Sequence, residues 1–159
     1  MNKVVLVLIS ITIGIFFTAC NNSGRNLEGT EVISSYANNQ PQIERDYKMV
    51  DGKRLAVYER EYYEDGNLLK EGALSNSEKR DGLWKSYHRD GVIWSEGAYI
   101  DGIREGKTIT YFANGNKYYE GQFAKAKKVG VWKFWTEDGE FEKEINFDTT
   151  PEAGIKVGD

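Results

Sequence analysis

Large apolar residues recur along this chain at fixed distances from pairs of polar and glycine residues. Asp65-Gly66, Asp90-Gly91, Asn114-Gly115 and Asp138-Gly139 follow one another at spacings of 25, 24 and 24 residues. Four positions before each of those glycines stands an aromatic residue: Tyr62, Tyr87, Tyr111 or Trp135. Eight positions after each stands a large apolar one: Leu74, Tyr99, Phe123 or Phe147. Glu71-Gly72, Glu96-Gly97 and Glu120-Gly121 share a further phase, which Glu144-Ile145 breaks, and Gly82, Gly106 and Gly130 open successive units. Self-similarity at a fixed period of this length marks a repeat architecture.

Each unit reads as a β-hairpin. Asp-Gly and Asn-Gly adopt the positive φ angles of a type I′ turn, whose twist matches the flanking strands. With Asp90 and Gly91 at the turn, His88 faces Ile93, Tyr87 faces Trp94, Lys85 faces Glu96 and Trp84 faces Gly97. The same register sets Lys133 against Glu144 and Arg60 against Glu71, while Ile109 opposes Glu120 in the third unit. Opposite charges across an antiparallel pair stabilise it by a few tenths of a kcal/mol to about 1. Glycine opposite Trp84 leaves room for the indole to lie over Gly97. An isolated hairpin is marginal in water, so the units must stack and share their apolar faces. The expected fold is therefore all-β, an elongated antiparallel meander of stacked hairpins of 24 to 25 residues occupying 43–147. Strands are expected from about Tyr47 to Phe147, with one further turn at Val50-Asp51-Gly52-Lys53 and a loose tail over 148–159 containing Pro151.

The N-terminus follows a different pattern. Lys3 precedes an apolar run from Val4 to Phe17 that only Ser10, Thr12 and Gly14 interrupt. At about 1.5 Å per residue this run reaches roughly 21 Å, short of the ~30 Å hydrocarbon core. It suits a removable signal better than a membrane span. Phe17-Thr18-Ala19-Cys20 resembles the lipobox of bacterial lipoproteins. That resemblance implies removal of residues 1–19, acylation of Cys20, and a membrane partner through the acyl chains. Asn21 stands where lipoproteins kept in the inner membrane carry Asp. The implied address in a two-membrane envelope is thus the outer membrane or its periplasmic face. Residues 20–42 are polar and without sustained period, and are expected to be a flexible tether.

Composition narrows the chemistry. The 159 residues include 21 basic and 25 acidic side chains, a net charge of −4. Net acidity without a Lys/Arg cluster argues against a nucleic-acid partner. Cys20 is the lone cysteine and His88 the lone histidine, which excludes a disulfide framework, a cysteine zinc cluster and the usual His-rich catalytic metal sites. Gly102-Ile103-Arg104-Glu105-Gly106-Lys107-Thr108 looks like a phosphate loop, yet it is one residue short between the glycines and no helix pattern follows. His88 near Asp90 lacks a nucleophile setting or a second histidine. Pairs such as Glu137 and Asp138 fall at turns, where solvated charge is ordinary. The expectation is a non-enzyme with no cofactor, metal or nucleotide.

Gly82-Leu83-Trp84-Lys85-Ser86-Tyr87 through Asp101-Gly102, and again Gly130-Val131-Trp132-Lys133-Phe134-Trp135, resemble the MORN-repeat variant. Thr108 replaces the first Trp of that pattern in the middle unit, and Glu59 stands there in the first. Bacterial chains with this variant include those grouped as YwqK-family antitoxins, which resemble immunity partners of secreted toxins. The resemblance implies a protein partner, a toxin among the possibilities; related repeats imply membranes and scaffolding. Fold likeness alone does not settle function. Two readings follow: a lipid-anchored, non-catalytic module that captures a protein, or a structural envelope lipoprotein touching lipid head groups or cell-surface glycan. On the register above, Tyr87, Trp94, Tyr111 and Trp135 share one side with Lys85, Glu96, Lys133 and Glu144, and are the candidate partner-binding residues. Trp84, Ile93, Tyr99, Trp132 and Phe147 share the other, expected to be the core side together with Leu68, Leu74 and Phe123.

Overall fold

The computed structural model describes residues 27–149. The expected signal peptide, the expected acylation site Cys20 and most of the expected loose tail lie outside the described residues. The strands are β1 (Gly29–Ser35), β2 (Pro41–Val50), β3 (Lys53–Tyr62), β4 (Leu68–Leu74), β5 (Arg80–Tyr87), β6 (Ile93–Ile100), β7 (Ile103–Tyr111), β8 (Lys117–Ala124), β9 (Lys127–Trp135) and β10 (Phe141–Asn146). They form one open antiparallel sheet in chain order, the all-β meander that the repeat implies.

Two kinds of turn alternate, except that the β4–β5 connection is a loop of the first kind, with Glu78 at φ 55° and its N–H donating to the Ser75 carbonyl at 2.9 Å. In the β5–β6 hairpin the Gly91 N–H donates to the His88 carbonyl at 2.9 Å, and the His88 N–H to the Val92 carbonyl at 2.8 Å. The last residue of each such loop has positive φ: Asn39 at 64°, Gly66, Gly91 and Gly115 at 85°, Gly139 at 88°. This is a three-residue loop closed by a G1 bulge, so the type I′ turn expected at Asp90-Gly91 is corrected. The acidic or amide residue is there for its side chain. Asp65, Asp90 and Asn114 accept the N–H two residues on, at 3.1, 3.0 and 2.9 Å. Paired positive φ angles, the type I′ signature, occur at the opposite end of the sheet, in Asp51-Gly52, Asp101-Gly102 and Lys125-Ala126.

This loop moves the pairing beside the turn by one residue, and a second irregularity, at Trp94, restores it. Tyr87 pairs with Ile93, not with Trp94, while Lys85↔Glu96 and Trp84↔Gly97 stand as expected. Arg60↔Glu71, Ile109↔Glu120 and Lys133↔Glu144 also hold.

The expected tether needs correction as well, because part of it folds as β1, its loop and the start of β2. Asn39 takes the left-handed conformation that glycine takes in later loops, and Asn38 accepts the Gln40 N–H at 3.0 Å. The Tyr36 hydroxyl donates to the Tyr62 carbonyl at 2.8 Å and ties this hairpin to the next. At the other end, Gly130 donates to Asp148 at 2.9 Å, so the tail begins attached to β9. A single sheet has no second layer to enclose a core. Ala56, Trp84 and Trp132 are the buried apolar residues among those described.

Candidate functional site

One row of side chains crosses the sheet from β2 to β10: Glu44, Arg60, Glu71, Lys85, Glu96, Ile109, Glu120, Lys133 and Glu144. Its signs mostly alternate, and the row marks a charged face. Tyrosines bind successive hairpins across it. Tyr62 donates to Glu44 at 2.7 Å, Tyr87 to Glu71 at 2.8 Å and Tyr111 to Glu96 at 3.4 Å. Burial first, and then the hydrogen bond to Glu44, pushes the Tyr62 hydroxyl up to about 12. Tyr87 and Tyr111 rise as well, again chiefly by burial and then through Glu71 and Glu96. Trp135 has no hydroxyl to offer Glu120. That carboxylate is held instead by Lys117 at 2.8 Å, which lowers its pKa, with Lys107 at 3.5 Å. Lys117 also lies 4.7 Å from the Trp135 ring centroid.

Three of the sequence candidates, Tyr87, Tyr111 and Trp135, thus sit half-buried on the charged face. Trp94 is separated from them. Left in the bulge by the Tyr87↔Ile93 pairing, it lines a groove of the opposite face beside Trp84, Ser86 and Ser95. It is 48% exposed, with its ring 6.3 Å from His88. A one-residue change in register moves a side chain to the other face, and the G1 bulge makes that change here.

The opposite face carries glycines alternating with larger residues. Gly72, Trp84, Gly97, Thr108 and Gly121 are successive partners across β4 to β8, and Trp132 follows on β9 beside Ile145 of β10. The Trp84 ring lies over Gly72, not over Gly97 as expected; a methyl on Gly72 would fall inside that ring. Trp132 covers Gly121 in the same way. Each indole therefore folds back onto the glycine of the preceding hairpin. For Trp84 the direction is fixed by its indole N–H, which donates to the Ala73 carbonyl at 2.8 Å. Trp132 is packed by Phe123 at 5.1 Å, Phe147 at 5.5 Å and Tyr119 at 5.6 Å, and its buried indole N–H has no acceptor among the described residues. A cation tops each indole: Arg80 at 4.5 Å from Trp84 and Lys128 at 4.9 Å from Trp132. Arg80, Arg104 and Lys128 recur at spacings of 24 residues.

The middle unit keeps the glycine and the cation but not the indole. Thr108 is buried and its hydroxyl donates to the Glu96 carbonyl at 3.1 Å. Gly97 is left half-exposed, whereas Gly72 and Gly121 are buried. A methyl on Gly97 would meet only Tyr99 at 3.6 Å and Thr108 at 3.7 Å, both ordinary contacts. The result is a groove of about 360 Å³ over Gly97, walled by Trp84, Tyr99 and Tyr119. Arg80 and Arg104 flank Tyr99 at 5.6 and 5.9 Å. No ion pair among the described residues includes either arginine. Rings, hydroxyls and two guanidinium groups suit reversible binding of a small polar-aromatic group.

Sequence reasoning missed Arg80, Arg104 and Tyr119 as site residues. The signal was present in Thr108, which breaks the Trp pattern between two basic residues in repeat phase. Among the described residues, no three His, Cys, Asp or Glu side chains gather as a metal centre requires. The loop-like Gly102–Thr108 segment is a turn residue followed by β7.

Fold and groove together define a single-sheet protein built from stacked hairpin repeats. The family model described as MORN repeat variant matches the chain at residues 58–74, 80–101 and 104–125. Those matches coincide with the β3–β4, β5–β6 and β7–β8 hairpins, and the flanking β1–β2 and β9–β10 hairpins repeat their loop geometry. No curated protein and no solved structure matches the chain.

Proposed function

We propose that the chain is a lipid-anchored, non-catalytic module that binds a protein partner through the face containing Gly97. The groove carries this reading, because aromatic walls converge there with arginines that have no carboxylate partner among the described residues. Aromatic and arginine side chains in a desolvated pocket are the usual make-up of binding hot spots. The anchor rests on Lys3, the apolar run Val4 to Phe17 and Cys20; acyl chains of this kind hold a domain at the membrane. The resemblance to the YwqK-family antitoxins supports a secreted toxin as the partner, held by occlusion, which needs no reacting group. Of the residues singled out from the sequence, Trp94 stays in the proposed surface. Tyr87 and Tyr111 have hydroxyls engaged between hairpins.

The test is affinity purification of the full-length protein from its own membranes, in parallel with Thr108→Trp, which fills the groove. A stoichiometric protein partner that disappears in the variant, with deletion sensitising cells to a secreted toxin, is the expected result. No partner and unchanged susceptibility would contradict it. Partner-free co-sedimentation with liposomes or cell wall, independent of Cys20, would favour envelope contact in its place.

A further inference from the structure

We infer that the groove over Gly97 receives a single aromatic side chain of the partner that carries a carboxylate beside it. The inference rests on reading this face as the binding surface, and it names what the surface recognises.

The shape argument is internal to the repeat. The chain shows twice how an indole occupies this position, at Trp84 over Gly72 and at Trp132 over Gly121. The groove has the same glycine floor, and Tyr99 stands two residues after Gly97 as Phe123 stands two residues after Gly121. Trp84 shows the polar contact as well: its indole N–H reaches the carbonyl of the residue after the floor glycine, Ala73. The residue in the corresponding position after Gly97 is Ala98. At about 360 Å³ the groove lies at the small end of ligand pockets, which suits one side chain and not an extended cofactor.

The charge argument is independent of shape. Arg104 occupies the repeat phase in which Arg80 and Lys128 lie over indoles, yet its own strand supplies Thr108 at that place. Arg104 already lies 5.1 Å from the Phe123 ring, so what its unit lacks is the indole contact that both neighbouring units make, and an incoming ring would supply it. Arg80 and Arg104 are free of ion pairs among the described residues of a net acidic chain, whereas Lys70 at the same groove is paired with Glu61. Guanidinium groups flanking a ring site select a carboxylate, which they bind by paired hydrogen bonds. An aromatic residue next to Asp or Glu, or an aromatic C-terminus, presents both features.

The experiment compares N-acetyl-tryptophan, which has the carboxylate, with N-acetyl-tryptophanamide, which does not, on the ¹⁵N-labelled full chain in detergent. The acid should shift the Gly97 and Thr108 amides saturably, with Kd on the order of 0.1–5 mM for a ligand of this size. The amide should bind several-fold more weakly. Changing Arg80 and Arg104 together to Gln should reduce the acid to the level of the amide, and Thr108→Trp should abolish both responses. Gly97→Leu serves as the blocking variant should Thr108→Trp fail to fold. Absence of saturable shifts in the unmodified chain, or binding that survives the blocking variant, overturns the inference, as does equal affinity for acid and amide. A captured protein partner with no response to N-acetyl-tryptophan would sink this inference while leaving the binding-module reading standing. Saturable acid binding without any partner would do the reverse.

Discussion

Trp132 and Gly97 show one repeat design with and without its indole. At Trp132 the ring covers Gly121, meets three aromatic neighbours within 5.6 Å and lies under Lys128. One hairpin earlier the glycine, the following aromatic and the cation are all kept, but Thr108 takes the place of the ring. The first region uses the position for cohesion; the second leaves it open. With so few buried apolar side chains in a single sheet, forgoing an indole is a substantial loss of stability. A repeat protein can thus form a groove by omission, with no insertion or added loop.

The sharpest way to break this comparison is truncation. Trp132→Ala should cost about 3–5 kcal/mol by urea denaturation, while Thr108→Ala, which loses one hydroxyl bond to the Glu96 carbonyl, should cost about 1. Equal losses would mean that Trp132 is no keystone of this face. The floor glycines separate next. Gly121→Ala places a methyl inside the Trp132 ring and should cost roughly 2–3 kcal/mol, whereas Gly97→Ala meets only ordinary contacts and should stay within about 0.5. If both are harmless, the indole does not depend on its glycine.

The charged face gives a smaller effect with a pH signature. Tyr87→Phe should lower stability by about 1 kcal/mol at neutral pH, through loss of the bond to Glu71. Folding raises the hydroxyl pKa of Tyr62, Tyr87 and Tyr111, so their contribution is complete below pH ~10, where free tyrosine stays neutral. It should be lost as pH rises through the folded value, which for Tyr62 is about 12. Melting curves across that range, with Tyr87→Phe showing a shallower decline, are the check; stability rising with pH there would reverse the assigned sign. Smallest of all, Trp94→Ala should cost under about 1 kcal/mol, since the residue is 48% exposed. A loss comparable to that of Trp132→Ala would make Trp94 part of the cohesive cluster.

The repeat was legible because glycine and aromatic phases are set by backbone geometry, which recurs with the hairpin. What escaped was local. Asp-Gly fits both a type I′ turn and a G1-bulge loop, and only the second inserts the residue that separates Trp94 from Tyr87. The first hairpin stayed hidden because Asn39 replaces glycine and the longer β2 and β3 break the 24-residue spacing. Trp84 pairs with glycine on both sides, Gly72 and Gly97, so spacing could not say which one the indole covers. The groove itself was visible only as a defect at Thr108. Its walls come from β5, β6 and β8 and its arginines from β5 and β7, so its side chains converge only once those strands are paired.

The central claim is that Gly97 is the floor of an indole-shaped site, and Thr108→Trp tests it most directly through equilibrium denaturation of the full chain. An indole laid on Gly97 between Trp84 and Tyr119 removes apolar surface from water, and this gain outweighs the loss of the Thr108 hydroxyl bond to the Glu96 carbonyl. The expected result is a gain of about 1–2 kcal/mol, or a melting temperature higher by roughly 3–6 °C. A loss of about 1 kcal/mol or more would show that the groove cannot seat an indole, and would contradict the account.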